Sequence, residues 1–192
     1  MSYPPSGPPN DPGYPQGQTP PPPAGTSGNH IMLDRFLARL VDGLVLLIPA
    51  LILSAISNSL FRPTINLRTG ETGGSEFLMY FVSGLLMIAL YIGYETYFLG
   101  TQGGQTVGKK LLKLRVIRED GRPLDVNTAL HRAGALYGGM VLYLLGGVLV
   151  LLPTLGGLIV LGVALSPFAD SASGRYQGLH DKFAKTLVVK SA

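Results

Sequence analysis

Three ionisable residues lie close together at the start of the first apolar segment: Arg35, Arg39 and Asp42. Arg35 precedes Asp42 by seven residues and Arg39 precedes it by three, so on a helix all three lie near one face. A carboxylate beneath lipid headgroups is unfavourable unless it is paired, and such a residue usually faces a bundle interior or a water-filled path. We therefore expect Asp42 to be either a cation or proton site, or half of a structural ion pair with Arg35 or Arg39.

A second carboxylate, Glu95, lies near the end of another apolar run and is flanked by tyrosines. Aromatic residues at such a position are typical of the membrane interface, which favours an anchored, hydrated carboxylate. The alternative places Glu95 beside Asp42 or Arg39 in a polar cluster. The pair His180-Asp181 could relay protons, but no further ligand or nucleophile has the spacing of a metal site or a catalytic triad. We expect no metal, no cofactor and no catalytic residue, and hence no enzyme.

These residues are carried by long apolar runs. The runs cover residues 33–60, 77–99 and 134–168, and the last has no charged residue. Because a bilayer core of about 30 Å needs about 20 apolar residues, the first two runs can each span it. As one helix the third would measure about 52 Å, so it must break, and the Pro153 region is the expected place. We predict helices over about 127–151 and 154–169, and hence about four segments that span the membrane or are embedded in it. The last is short for a full span, so it is either a spanning helix or a re-entrant, partly submerged one.

The chain's composition separates a tail from this apolar part. The 192 residues carry a net charge of +4, but only 14 % are charged, against about 25 % in ordinary soluble domains. Ten of the 15 prolines fall within the first 23 residues. We predict a disordered Pro/Gly-rich tail over residues 1–29 and a membrane domain over 30–192, because the tail lacks the apolar residues that a core requires. Such a tail can also dock a partner that recognises polyproline.

Loop charges predict the orientation in the membrane. Residues 100–132 contain seven Lys or Arg against three acidic residues, whereas residues 61–76 show no basic excess. By the positive-inside rule the loop over 100–132 is cytoplasmic and the loop over 61–76 is outside. With four segments, both termini then lie in the cytoplasm. Alternating residues over 112–118 and a β-prone run over 186–189 predict a small cytoplasmic sheet between loop and tail. The fold class is thus an all-α membrane bundle with a small sheet.

Three blocks of residues resemble the RDD family of bacterial membrane proteins. Its R-x-x-A-x-x-x-D helix is similar to Arg35, Ala38 and Asp42, and its G-Q-T-x-G-K loop to residues 104–109. Its H-D-x-x-A-x-T ending is similar to residues 180–186, although Lys185 stands where the family usually has glycine. The resemblance implies an integral plasma-membrane protein, with Asp181 as the second aspartate of the family name and with transport as the suggested role. The Pro-rich tail resembles that of actinobacterial members.

Two further motifs favour membrane contacts over catalysis. Residues 103–110 imitate a phosphate-binding loop, but Lys110 stands where a hydroxyl must bind magnesium and no strand precedes the loop. A basic loop there fits anionic lipid headgroups better, and nothing points to nucleic acid. Gly134-x-x-x-Gly138 and Ala135-x-x-x-Gly139 allow close helix packing, within one chain or in a homo-oligomer. The expected function is ion or small-solute transport; the alternative is a scaffold that recruits partners through the tail and the cytoplasmic loop.

Overall fold

Two long helices form the frame of the fold. A computed structural model describes residues 29–149, 151–173 and 175–191. Helix α1 spans Asn29–Phe61 and helix α2 spans Glu76–Thr101. A small hairpin connects them, in which β1 (Thr64–Ile65) pairs antiparallel with β2 (Thr72–Gly73). The predicted tail lies outside the described residues except for its last residue, which begins α1.

Helix α2 begins where the sequence provides a cap. The Ser75 side chain accepts a hydrogen bond from the backbone N–H of Leu78 at 3.3 Å, which satisfies one of the free donors of the first turn. Glu76 places a negative charge at the positive end of the helix dipole. The hairpin joins α1 and α2, which are antiparallel. The amino end of α1 therefore lies beside the carboxyl end of α2.

The third apolar run breaks, but not where the sequence predicts. Helix α4 spans Val126–Tyr137 and continues as a 3-10 helix over Gly138–Leu145; helix α5 spans Leu151–Leu165. The break therefore precedes Pro153, which lies in the first turn of α5, where a missing N–H leaves no helix bond unmade. A Cβ atom on Gly147 would lie 2.4 Å from the Cα of Phe77, so the chain turns where it packs tightly on the start of α2.

Three helical segments among the described residues are long and apolar enough to cross a membrane. They are Ile31–Phe61, Glu76–Thr101 and Leu151–Asp170, the last including part of a second 3-10 helix over Ser166–Ser173. The predicted helix over 127–151 is not among these three. It is divided between α4 and its 3-10 extension, both of which pack on α2. The mostly helical membrane fold with a small sheet is confirmed.

Two short helices and two short strands cover one end of the long helices, and we call them the small layer. Helix α3 (Val107–Leu111) leads into β3 (Leu114–Arg118), and helix α6 (Leu179–Phe183) leads into β4 (Thr186–Lys190). The two strands pair antiparallel, with Val116 opposite Val188, so the predicted pairing of loop with tail is confirmed. Buried side chains join this layer to the long helices and form the core: Ala38, Leu99, Leu114, Val116, Leu124, Ala129 and Val188.

The small residues of the third run pack within the chain. Gly139, in the 3-10 helix, faces Gly156 of α5 so closely that a Cβ on Gly139 would lie 2.7 Å from the Gly156 carbonyl oxygen. A Cβ on Gly134 or Gly138 would meet nothing within 4 Å. Of the two predicted small-residue motifs, the one that includes Gly139 therefore packs the 3-10 helix against α5.

Candidate functional site: a buried charge cluster

Six ionisable side chains meet where the small layer covers the ends of the long helices. They come from α1, α2, α3, α4 and α6, and we call them the charge cluster: Arg35, Arg39, Glu95, Lys109, Arg132 and Asp181. The cluster brings together four of the five residues singled out from the sequence. Asp42, the fifth, lies beside it with other partners.

Asp181 is the most enclosed carboxylate of the cluster. Its Oδ1 accepts hydrogen bonds from Nε and Nη2 of Arg132 at 3.0 and 2.7 Å, and its Oδ2 pairs with Arg35. The Gly178 backbone N–H also donates to Oδ2, at 3.0 Å, which caps α6. Burial alone would raise the pKa of Asp181, but Arg35 and Arg132 hold that pKa well below its usual value. Asp181 is therefore a carboxylate that joins α1, α4 and α6.

Glu95 is the second anion and is buried. Its side chain accepts from Nη1 of Arg39 at 2.9 Å and pairs with Arg132, and the Nζ of Lys109 lies 3.7 Å away. Only 1 % of the residue is exposed. The interpretation of Glu95 as a hydrated interface carboxylate is therefore wrong, and the alternative that placed it beside Arg39 is confirmed. The tyrosines around it suggested the interface, but α4 and the small layer cover this face of α2.

Asp42 does not pair with an arginine, which corrects the expectation from its spacing. Its carboxylate accepts hydrogen bonds from the Tyr94 hydroxyl at 2.7 Å, the Thr106 hydroxyl at 2.6 Å and the Gly108 backbone N–H at 2.8 Å. Among the described residues no ion pair includes Asp42. The shared helix face was predicted correctly, but Arg35 and Arg39 are long enough to reach carboxylates on other elements.

The loop that resembles G-Q-T-x-G-K docks α3 onto α1. Thr106 caps α3, and its hydroxyl donates a hydrogen bond to Asp42. Gly108 lies so close to α1 that a Cβ atom on it would be 2.0 Å from the carbonyl oxygen of Ala38. Gly104 has φ +79°, and a Cβ there would stand 2.1 Å from the Val116 carbonyl oxygen. These contacts explain why glycines at both positions, and a small residue at Ala38, suit the fold.

Lys109 faces inward from this loop. Its Nζ donates to the Thr106 hydroxyl at 3.3 Å and lies near Glu95, and only 5 % of its side chain is exposed. Burial lowers the pKa of Lys109 to about 8, an effect that Glu95 partly offsets. Lys109 therefore loses its charge at a pH far closer to neutrality than an ordinary lysine does.

His180 lies against the cluster as a neutral ring. Burial lowers its pKa to about 3, with Arg132 and Arg39 adding to the effect against Asp181. Nη2 of Arg39 lies 3.3 Å from Nε2, which must accept because a guanidinium can only donate. The ring hydrogen is then on Nδ1, and that buried nitrogen has no hydrogen-bond partner among the described residues.

A cavity of about 240 Å³ opens next to the cluster. The charged residues that line it are all cations: Arg35, Arg39, Lys109 and Arg132. Their carboxylate partners lie behind them. The same cavity is lined by His180 and by apolar side chains of α1, α5 and the second 3-10 helix. The described residues contain no group of three His, Cys, Asp or Glu that could hold a metal ion.

The sequence interpretation missed four residues of this region: Arg132, Lys109, Thr106 and Tyr94. Arg132 had a usable signal, because it is an arginine directly before a long uncharged run and an ionisable residue there is a candidate site by default. Lys109 belongs to the basic loop for which the sequence predicts contacts with lipid headgroups, and its inward direction depends on how α3 docks.

Long apolar helices that close over a buried cluster of charges define this chain as a helical membrane protein. The chain belongs to the RDD family, whose model matches residues 31–185. It is similar to the uncharacterized protein YxaI of Bacillus subtilis (strain 168), with 28 % identity over 161 residues that cover 81 % of this chain and 93 % of YxaI. No solved structure matches it.

Proposed function

We propose that this chain is a membrane transport protein for an anionic solute and that the cavity beside the charge cluster is its binding site. One observation carries the proposal: the four charged residues that line the cavity are cations. The four cations of the cluster face two carboxylates, which leaves a formal excess of two positive charges. Asp42 is nearby and reduces that excess to one.

The distribution of exposure supports Arg39 as the residue that meets the solute first. Of the Arg39 side chain 22 % is exposed, against 10 % of Arg35 and 1 % of Arg132. Arg39 makes three contacts, with Glu95, Tyr137 and His180, and so uses fewer than its five N–H donors. Arg132 instead directs its guanidinium into Asp181 and Glu95, so it holds the cluster together.

The surroundings of Asp42 argue against a cation site there. A carboxylate offers about four lone-pair positions, and three donors already occupy Asp42. Only about one position remains, so a cation that contacts both oxygens would have to displace a donor, and the Gly108 N–H that holds α3 in place is one of the three. We therefore favour an anion at the cavity over the cation or proton at Asp42.

Flux measurements in proteoliposomes test the proposal. We expect uptake of chloride, acetate or phosphate that Arg39→Gln reduces at least tenfold. Lys110→Gln is the matched control, since it removes one positive charge from an exposed side chain outside the cavity. Flux of Na⁺, K⁺ or H⁺ that Asp42→Asn abolishes, with no anion flux, would contradict the proposal and favour a cation transporter. If neither occurs, the scaffold interpretation takes its place.

The orientation and the partners belong to the same proposal. We propose a plasma-membrane location with both termini cytoplasmic, no enzymatic activity, contacts with anionic headgroups, and partners in a homo-oligomer or at the Pro-rich tail. The antiparallel pairing of β3 with β4 supports one side of the membrane for loop and tail. Since the chain has no cysteine, Thr69→Cys should be labelled from outside by an impermeant thiol reagent. Arg118→Cys and Ser191→Cys should be protected, and labelling of only one of these two would contradict the shared side.

A further inference from the structure

The cavity has two chemically different sides. Its cationic side consists of Arg35, Arg39, Lys109 and Arg132. Its other side is apolar and is built by α1, α5 and the second 3-10 helix, through Phe36, Leu40, Leu161, Leu165, Pro167 and Phe168. The cationic side can replace the hydration that a small anion loses on binding. Such an anion leaves the apolar side without a contact, whereas an amphiphile uses both sides.

The depth of the cavity along α1 matches a lipid headgroup. From Arg39 to Phe61, where α1 ends, the helix rises about 33 Å, which is close to the bilayer core of about 30 Å. The charged side therefore lies near one boundary of the hydrocarbon region, and the hairpin near the other. At that boundary the phosphates of one leaflet are at the same height as the cations.

The apolar side of the cavity is also part of the outer surface of the bundle. Phe36, Leu40, Leu161 and Phe168 line the cavity and are exposed. In a membrane this surface faces lipid, so the cavity opens sideways to the acyl chains of the leaflet. A molecule could enter from the bilayer without leaving its hydrophobic surroundings.

We infer that the ligand of this cavity is an anionic phospholipid, whose phosphate pairs with Arg39 and Arg35 while its acyl chains lie against the exposed apolar side between α1 and α5. The inference rests on the proposed anion site and specifies the class of its ligand. Arginine suits this role because its planar fork matches a phosphate with two parallel hydrogen bonds.

The size of the cavity fits the headgroup and not the whole lipid. Its 240 Å³ is below the roughly 300–1,000 Å³ of pockets that enclose a whole drug-sized ligand. This is enough for a phosphodiester and the glycerol beside it. The acyl chains must therefore stay outside, where the exposed side chains of Phe36 and Leu161 already present an apolar surface.

Native mass spectrometry of the full chain in neutral detergent tests the inference. The probes are phosphatidylglycerol, zwitterionic phosphatidylcholine and glycerol 3-phosphate. The last has a phosphate and a glycerol but no acyl chains. We expect one tightly bound phosphatidylglycerol, with affinity at least tenfold above that for phosphatidylcholine and for glycerol 3-phosphate. Arg39→Gln should weaken phosphatidylglycerol at least tenfold and Lys110→Gln by less than twofold.

A second pair of variants tests the apolar side of the cavity. Leu161→Ala should weaken phosphatidylglycerol about threefold and leave glycerol 3-phosphate unchanged, because only the chains touch this side. Leu158→Ala, an exposed leucine of the same helix outside the cavity, is the control and should change neither. Equal effects of the two leucine variants would overturn the inference.

The outcomes separate this inference from the proposed function. If glycerol 3-phosphate binds as tightly as phosphatidylglycerol, through Arg39, the anion site stands and the lipid inference is overturned. Equal binding of phosphatidylcholine, or equal losses in Arg39→Gln and Lys110→Gln, also overturns it. If none of the three probes binds in an Arg39-dependent way and no anion flux occurs, the proposed function fails as well.

Discussion

Arg132 and Asp181, 49 residues apart in sequence, are joined by two hydrogen bonds to the same carboxylate oxygen, at 3.0 and 2.7 Å. Neither side chain is more than 1 % exposed. Through Glu95 the same arginine also reaches α2. One guanidinium thus connects a membrane helix to both α4 and the small layer, and its removal would leave two buried carboxylates short of a partner.

We predict that Arg132→Gln destabilises the fold by about 3–5 kcal/mol, because breaking a buried pair leaves uncompensated charge. Arg132→Lys should not restore stability, since an ammonium lacks the planar fork that serves two carboxylates. The measurement is the free energy of unfolding from SDS titration in detergent micelles. Arg122→Gln, at an exposed side chain, is the control and should unfold like the original chain. Equal stability of Arg132→Gln would show that the cluster is not held by this residue.

The pairing of the cluster can be tested with double-mutant cycles. Arg35→Ala and Asp181→Ala should couple by about 0.5–3 kcal/mol, because the two side chains are in contact. Asp42→Ala and Thr106→Val should couple within the same range through their hydrogen bond. Arg35 and Asp42 lie two helical turns apart with separate partners, so their changes should add. Coupling between Arg35 and Asp42 instead would restore the pairing that the sequence suggested.

Lys185 adopts a left-handed backbone conformation, with φ +51°, between α6 and β4. An L-residue with a side chain is strained there by about 1–2 kcal/mol, whereas glycine is not. We predict that Lys185→Gly raises the unfolding free energy by about 1 kcal/mol, after the larger unfolded-state entropy of glycine is included. Lys110→Gly, inside α3, should lower it by about 1 kcal/mol. A loss of stability in Lys185→Gly would mean that the lysine side chain itself stabilises the fold.

We predict that Lys109 makes the proposed anion binding dependent on pH. Because its pKa is lowered to about 8, the amine is charged below that pH and neutral above it, so affinity should fall as the pH rises from 7 to 9. The groups that set this value are Glu95, Arg39, Arg132 and Asp42. In Lys109→Arg the charge persists, so the decline should disappear. His180, with a pKa of about 3, should add no transition near pH 6.5. A decline that persists in Lys109→Arg would assign it to another group.

The sequence predicted the apolar elements well because their signals are local. Run lengths and the lack of charge identified the long helices, and alternation over 112–118 identified a strand of the small sheet. The break near Pro153 was misplaced, since a proline within the first turn of a helix is tolerated and the close packing of Gly147 on Phe77 is a tertiary feature.

The sequence predicted most of the residues of the candidate site, but it did not predict which side chains pair with one another. Spacing along one helix says which side chains share a face, and it correctly grouped Arg35, Arg39 and Asp42. It cannot say which carboxylate an arginine reaches, because Glu95 and Asp181 come from segments far along the chain. The family blocks named the residues of α3 and α6, and the way these helices dock determines the partner of each.

The position of Asp181 in the chain has a consequence for the biosynthesis of the protein. Arg35, Arg39, Lys109 and Arg132 are all translated before α6, so until that helix emerges the four cations of the cluster have only Glu95 as a cluster carboxylate. The arrival of α6 therefore supplies the second carboxylate of the cluster and lowers its formal excess of positive charge from three to two. A polypeptide truncated before α6 would keep its apolar helices but would leave Arg35 and Arg132 without Asp181, the carboxylate that they share.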